Sequence, residues 1–219
     1  GMSDYALMSM APKRLSNYPQ ALPDSPGIPK RVSEDVIIAP YNDAETARAL
    51  ITEYHDQLGA VVAEPFQRML PPKSGFLETL REVTREYDIP LIFDEIVTGF
   101  RFAYGGAQAY YGITPDLSAF GKAMANGLPI CAVVGRADIM MMMEEIFFSS
   151  TFGGEALSLA GAIATVDKLE AEHVPALLWQ KGAQLMADAR AITTRHGVDD
   201  ALGMVGSAPW PILSYRDHA

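Results

Sequence analysis

Cysteine is almost missing from this 219-residue sequence, since Cys131 is the only one. An internal disulfide is therefore impossible, and a reducing compartment such as the cytoplasm is the simpler expectation. Cys131 begins the apolar run Cys131-Ala132-Val133-Val134. This context predicts a buried thiol rather than a nucleophile.

Other absences exclude whole classes of function. No run approaches the roughly 20 apolar residues of a membrane span, and the first residues lack a basic-then-apolar signal pattern. Basic residues number 17 against 27 acidic ones, for a net charge of −10, which argues against a nucleic-acid partner. The histidines lack metal-ligand spacing and lie far apart, at His55, His173, His196 and His218.

What remains is ordinary globular composition, 49% hydrophobic and 20% charged. Residues 1–35 are rich in proline and predict an irregular lead-in. Residues 36–172 then predict a core domain, and residues 173–219 a long helix that leads into a second, small domain. Residues 212–215 predict a strand with nothing after it to pair with, so we expect the chain to be part of something larger.

Within the core domain, short apolar runs alternate with helical patterns. Strands are predicted at 36–39, 60–63, 90–93 and 131–134. Helices are predicted at 44–58, 75–87, 137–145, 155–172 and 175–196, the first capped at Asn42-Asp43. This alternation predicts an α/β fold whose mostly parallel sheet is covered by helices on both faces.

Two carboxylates follow the third predicted strand. Ligands of open parallel sheets bind beyond the carboxyl ends of the strands, where Asp94 and Glu95 are placed. A carboxylate there could pair with a cationic ring nitrogen or a metal. An acidic helix cap or a loop salt bridge explains the pair equally well.

Lys122 ends a further short strand, directly after Gly121. A partly desolvated lysine has a lowered pKa and a neutral amine that can form imines. A surface lysine at a strand end is the commoner explanation for any single lysine.

The combination of these residues resembles the class III aminotransferases, which depend on pyridoxal 5′-phosphate (PLP). The core of the resemblance is Phe93-Asp94-Glu95-Ile96-Val97-Thr98-Gly99-Phe100-Arg101, then Gly121-Lys122 with Gly127-Leu128-Pro129, with Lys122 28 positions after Asp94. Similar stretches are Ala63-Glu64-Pro65, Pro71-Pro72-Lys73, Gly105-Gly106-Ala107-Gln108, Thr114-Pro115-Asp116-Leu117 and Ser150-Thr151-Phe152. The likeness covers roughly residues 28 to 200 and is greatest to glutamate-1-semialdehyde aminomutase-like proteins.

The resemblance implies the three-layer large domain of the aspartate aminotransferase-like fold, here incomplete, and a role for each matching residue. Lys122 would be the Schiff-base lysine and proton shuttle, and Asp94 would pair with the pyridine nitrogen of PLP. Ile96 would pack on the ring. Thr151 would bind the phosphate of a neighbouring subunit in a homodimer, and Glu64 would organise the pocket.

Two departures from the family qualify this expectation. The asparagine expected shortly after Glu64-Pro65 is absent, and Gln67 or Arg68 would substitute for it at the PLP 3′-oxygen. Family members are also roughly twice as long, so the turn that cradles the phosphate is expected outside these residues.

Three hypotheses follow. The first is an aminotransferase or aminomutase-like isomerase that acts on a small amino or keto substrate. The second is a remnant that keeps the fold but binds PLP weakly or not at all. A metal hydrolase using Asp94-Glu95 is a poor third, because the histidines are scattered.

Overall fold

The computed structural model describes residues 3–9 and 18–215. The chain forms two compact units, Gly1–Leu58 and Gly59–Ala219. Every site residue predicted from the sequence falls in the second unit.

The main helix of the first unit is α2 (Ala44–Tyr54). The Asp43 side chain caps it by accepting a 3.0 Å hydrogen bond from the Thr46 N–H, which confirms the predicted cap. The helix ends four residues before the predicted Leu58. The Leu58 N–H still donates to the Tyr54 carbonyl, but the residues between them form a turn.

The strand predicted at 36–39 is wrong. Only Ile37 pairs, through an isolated bridge to Gln20, and Pro40 lies three residues further along the chain. Proline has no N–H to donate to a ladder, so the pairing cannot extend through it. The short helix α1 (Lys30–Glu34) precedes this segment.

The second unit is built on a four-stranded sheet of order β1-β2-β3-β4. Its strands are β1 (Val61–Ala63), β2 (Leu91–Asp94), β3 (Leu117–Phe120) and β4 (Ala132–Gly135). The first three run parallel, and β4 runs antiparallel to β3. The mostly parallel α/β sheet predicted from the sequence is therefore confirmed.

Helices α3 (Phe76–Glu86) and α4 (Gly106–Tyr111) connect the parallel strands. The buried apolar face of α3 recurs at helical spacing, at Phe76, Leu77, Leu80 and Val83. It packs near β2, where Leu91 and Phe93 are fully buried. The apolar run that predicted β2 thus forms the centre of the core.

The sheet is covered less completely than predicted. Val62 on β1 is 67% exposed, and Val133 on β4 is 53% exposed. Both strands lie at the edges of the four-stranded sheet, so fewer neighbours cover them than cover β2. Cys131 directly precedes β4 and is exposed, so the predicted burial of its thiol is wrong.

Asp116 ties the sheet together just before β3. Its carboxylate accepts hydrogen bonds from Arg81 of α3 at 2.8 Å, from Arg136 after β4 at 3.1 Å and from the Leu91 N–H at 2.8 Å. Burial alone would raise the pKa of Asp116, but these hydrogen bonds outweigh it and hold the pKa below its ordinary value. Asp116 therefore joins three elements as a buried anion.

The rest of the unit is helical, with a closing hairpin. Its elements are α5 (Ala137–Met140), α6 (Ala156–Ala171), α7 (Val174–Arg195), β5 (Leu202–Ser207) and β6 (Trp210–Tyr215). The two long helices match their predictions to within a residue at each end. The strand predicted at 212–215 does have a partner, because β6 pairs antiparallel with β5, which precedes it.

An aromatic cluster anchors the hairpin and α7. Phe66 lies 5.0 Å from Phe102 and 5.8 Å from Trp210 between ring centroids. Trp179 of α7 meets Phe102 edge-on at 5.8 Å, and its Nε1–H donates a 2.8 Å hydrogen bond to the Phe102 carbonyl. The segments that follow β1 and β2 are thereby fixed to the C-terminal elements.

Candidate functional site

The carboxyl ends of the three parallel strands bring the predicted polar residues to one edge of the sheet. Ala63 pairs with Phe93, so Glu64, which follows β1, and Asp94, the last residue of β2, stand at the same step of adjacent strands. Asp94 pairs in turn with Ala119, three residues before Lys122. Side chains that alternate along a strand place Asp94 on one face of the sheet and the next residue on the other.

The charges of Asp94, Arg68 and Lys122 each act on the Glu64 carboxyl. Burial raises the pKa of half-buried Glu64, and the negative charge of Asp94 raises it further. The positive charges of Arg68 and Lys122 lower the pKa of Glu64. Glu64, Asp94 and Lys122 therefore form one cluster, which Arg68 joins.

Asp94 is the last residue of β2 and is partly buried. Its Oδ1 accepts a 3.0 Å hydrogen bond from the Ile96 N–H. Its other oxygen, Oδ2, accepts no hydrogen bond from the residues that the structure describes. One carboxylate oxygen is thus held in place and the other remains available to a cationic donor.

Lys122 begins a 3-10 turn, Lys122–Met124, directly after buried Gly121. Its φ of 40° is left-handed, a conformation that costs a non-glycine residue about 1 kcal/mol or more. The Asn126 N–H donates to the Lys122 carbonyl at 3.1 Å and helps to hold the turn. The side chain is exposed, so the predicted partial desolvation of this lysine is not found in this chain.

Ile96 lies beside the lysine turn. A Cβ atom on Gly121 would come within 3.1 Å of Ile96 Cδ1, so the isoleucine side chain packs directly on that glycine. The same Cβ would lie 3.7 Å from Cys131 Cβ. An apolar side chain thus borders the backbone that carries Lys122.

Gln67 and Arg68 lie in a tight turn after β1. The backbone of Gln67 pairs with that of Leu70, and Arg68 adopts a φ of 55°. Arg68 lowers the pKa of Glu64, whereas both backbone polar groups of Gln67 are used within the turn. Of the two predicted substitutes for the missing asparagine, Arg68 is the one with an electrostatic link to the cluster.

Thr151 lies in an exposed turn before α6, away in sequence from the other predicted residues. The Gly153 N–H donates to the Ser150 carbonyl at 3.1 Å and closes this turn. The role predicted for Thr151 concerns a neighbouring subunit and stays a prediction.

Glu95 fits one of the explanations that the sequence left open for the Asp94-Glu95 pair, that of an acidic helix cap. Glu95 is fully buried and caps α4: its carboxylate accepts from Ala107 N–H at 2.8 Å, Gln108 N–H at 2.7 Å and Thr98 Oγ1 at 2.5 Å. The sequence left an acidic helix cap open for the pair, but it did not show which helix is capped or that Glu95 is the capping residue. The signal was Gly105-Gly106, which leaves room for a carboxylate at the start of α4.

A concavity of about 540 Å³ lies next to the lysine turn but not at Glu64 and Asp94. It is lined by Ala123 and Asn126, by residues after β2 and by parts of α6 and α7. Glu64, Asp94 and Lys122 do not line it. The chemical groups therefore belong to the edge of the sheet rather than to this concavity.

Residues 3–9 and 18–215 hold neither a candidate metal site nor a helix that could span a membrane. No three His, Cys, Asp or Glu side chains gather there in a way that could hold a metal ion. None of the helices in these ranges combines the length and apolar character needed to cross a bilayer.

Comparison with known proteins gives a consistent result. Glutamate-1-semialdehyde 2,1-aminomutase of Natranaerobius thermophilus is 38% identical over 192 residues, which are 85% of this chain and 45% of that protein. An omega-transaminase from Sphaerobacter thermophilus superposes with a TM-score of 0.82 at 32% identity, covering 95% of this chain and 49% of that one.

The PLP internal aldimine form of the FumI protein of a Sphingopyxis species superposes with a TM-score of 0.83 at 30% identity, over 91% of this chain and 49% of that one. The chain thus spans about half the length of the relatives that it matches. The model of the family described as aminotransferase class-III matches residues 4–205. The chain belongs to the class III aminotransferase family.

Proposed function

We propose that this chain carries the lysine site of a PLP-dependent aminotransferase or aminomutase-like enzyme that acts on a small amino or keto substrate. The observation that carries the proposal is the joint position of Asp94 and Lys122 at the carboxyl edge of a parallel sheet. Residues 36–172 are its cofactor-binding core, and residues 173–219 lead into a second domain. The single cysteine rules out an internal disulfide, as is usual for a protein that acts in the reducing cytoplasm.

The residues present fit the ring of the cofactor. Bound PLP supplies an electron-withdrawing ring that stabilises negative charge at the substrate Cα. Asp94 Oδ2 is available to hold a proton on the ring nitrogen, as opposite charge requires. The Lys122 amine would hold the cofactor through its aldehyde carbon and would carry a proton to and from the substrate Cα, while Ile96 would give the ring an apolar neighbour.

The remaining residues have supporting roles. Glu64 organises the pocket and, because its pKa is raised, is less readily charged beside Asp94. Arg68 or Gln67 contacts the oxygen substituent of the ring. Thr151 donates its hydroxyl to the phosphate bound by a neighbouring subunit, so the working form is a homodimer.

Exposed apolar surface close to Thr151 supports the dimer. Phe147 is 97% exposed, Phe148 70% and Phe152 62%. Large aromatic side chains grouped in this way are typical of a surface that another protein covers. A second copy of the chain would bury them and bring Thr151 to its site.

A second candidate is a family member that keeps this fold without binding PLP. The observation that favours it is the exposure of Lys122, because the neighbouring concavity does not enclose its amine. The two candidates differ in whether Lys122 reacts with the aldehyde.

Titration of the protein with PLP, followed by borohydride reduction and peptide mapping, tests the proposal. A yellow adduct bleached by borohydride and mapped to Lys122 is expected, and Lys122→Arg should abolish it. Label on Lys73 or Lys168 instead would contradict the assignment of Lys122. Colourless protein at saturating PLP would contradict the enzyme and favour the relative that does not bind PLP.

A further inference from the structure

The capping carboxylate Glu95 connects β2 with α4. It directly follows Asp94, and all three of its donors lie in the segment that leads into α4 or in α4 itself. Gly106 leaves the space that the Glu95 carboxylate occupies: its φ is 83°, and a Cβ there would lie 2.7 Å from Glu95 Oε1. The position of α4 is therefore fixed relative to the end of β2.

From α4 the connection continues to β3. Gln108 Nε2 donates a 3.0 Å hydrogen bond to Ser118 Oγ, and Ser118 is buried. Ser118 lies in β3, four residues before Lys122, and pairs with Phe93 of β2. The path Glu95–Gln108–Ser118 thus runs from the residue after Asp94 to the strand that carries Lys122.

Close packing at the end of β3 supports the same connection. A Cβ on Gly99 would lie only 2.4 Å from Phe120 Cδ1, so the segment after Glu95 lies directly against the last residue of β3. Phe120 also packs on Phe100, with ring centroids 5.6 Å apart. The loop between Asp94 and α4 has little room to shift relative to the lysine turn.

We propose that the Gln108–Ser118 hydrogen bond positions Lys122 relative to Asp94, so that the amine and the carboxylate reach the same bound ring. This inference rests on the proposed function. Neither residue touches the reacting atoms, and both act through the spacing of β2 and β3. An error of about 1 Å in such a spacing is enough to cost a large part of a site's activity.

The test uses Gln108→Met and Ser118→Ala in the whole chain, each of which removes this hydrogen bond at little change in volume. Gln184→Met is the matched control, because Gln184 Nε2 makes a similar 2.7 Å hydrogen bond to Asp188 on the exposed surface of α7. The readout is the pH midpoint of the absorbance of the Lys122–PLP adduct, which responds to the charge that Asp94 holds on the ring. Thermal unfolding is measured in parallel.

We expect both variants to fold and to raise this midpoint by about half a pH unit or more, a roughly threefold change in proton affinity. The midpoint should rise because a ring nitrogen that has lost its proton no longer repels the proton on the nitrogen of the adduct. The adduct therefore keeps that proton up to a higher pH. Gln184→Met should leave the midpoint unchanged. Unchanged midpoints in folded variants, or failure of both variants to fold, would overturn the positioning role, whereas absence of the adduct in the unsubstituted chain would overturn the proposed function itself.

Discussion

Glu64 and Asp94 leave adjacent parallel strands at the same step, and each carboxylate lies in the electrostatic field of the other. Burial and the charge of Asp94 together raise the pKa of Glu64 above its ordinary value of 4.5. The folded chain therefore binds a proton at Glu64 more tightly than the unfolded chain does. The stability that this proton contributes is present at low pH and is lost as the pH rises through the raised pKa.

Glu64→Gln should remove this pH dependence. We expect the variant to melt at a higher temperature than the unsubstituted chain at neutral pH, and the difference to shrink as the pH falls toward 4.5. Glu78→Gln, at an exposed position of α3, controls for the substitution itself. A difference that grows toward low pH would show that Glu64 is stabilised as an anion, contrary to our interpretation.

Asp94→Asn should separate binding from chemistry. Asparagine keeps an acceptor for the Ile96 N–H, so we expect the fold and the Lys122 adduct to persist. Exchange of the substrate α-proton with deuterium should slow by about a hundredfold, the usual cost of losing one electrostatic partner. Asp88→Asn makes the same change before the other end of β2, at an exposed position, and should leave the exchange rate as it was.

Removing Asp116 should destabilise the fold strongly. Asp116→Asn leaves the buried Arg81 guanidinium without its carboxylate, and breaking such a pair costs about 3–5 kcal/mol. Asp138→Asn removes the exposed partner of Arg136 and should cost about 1 kcal/mol or less. Urea unfolding measures both free energies, and similar values for the two variants would mean that Asp116 is not the organising anion.

Gly182 of α7 marks the closest approach to the hairpin. A Cβ there would lie 1.6 Å from the Ala208 carbonyl oxygen, so Gly182→Ala forces backbone apart and should cost about 1–3 kcal/mol. A Cβ added to Gly203 in β5 would have no other atom within 4 Å, so Gly203→Ala should be close to neutral. Thermal unfolding of the two variants gives the comparison, and equal melting temperatures would refute the close contact.

Replacing Phe147 and Phe148 with serine should weaken the proposed homodimer. Both side chains lie in the exposed apolar surface before α6, and burial by a second copy would contribute favourably to association. Light scattering over a dilution series should show a dimer for the unsubstituted chain and a monomer for the double variant. Tyr215→Ser removes an exposed aromatic from β6 as a control. A monomer at high micromolar concentration for the unsubstituted chain would rule out the dimer and the trans role of Thr151.

The central part of the sheet could be predicted because its strands are apolar and its helices periodic. The pattern around Leu91–Asp94 and the apolar face of α3 agree with each other, so both were found. The strand β5 was missed because Gly203 and Gly206 interrupt it, and glycine weakens a strand signal. The exposed state of Cys131 depends on its place at an edge strand, which a local pattern does not reveal.

The candidate site, like the fold, was only partly predictable from the sequence. The position of Asp94 and Lys122 at one edge of the sheet was predictable because each follows or ends an apolar strand run, whereas their chemical roles stay a prediction. The cap made by Glu95 depends on a hydrogen bond to α4, 12 residues further along the chain, and on the left-handed φ of Gly106. Such contacts arise from tertiary structure and carry little signal in the spacing of residue types.

The aromatic cluster determines what an optical experiment on this chain can detect. The chain has two tryptophans, Trp179 and Trp210, and both pack on the pair Phe66–Phe102. Intrinsic tryptophan fluorescence therefore follows the attachment of α7 and the hairpin, and reports only indirectly on the sheet edge that holds Lys122. Unfolding followed by fluorescence and by absorbance of a lysine-bound chromophore should coincide only if the whole second unit melts as one cooperative body.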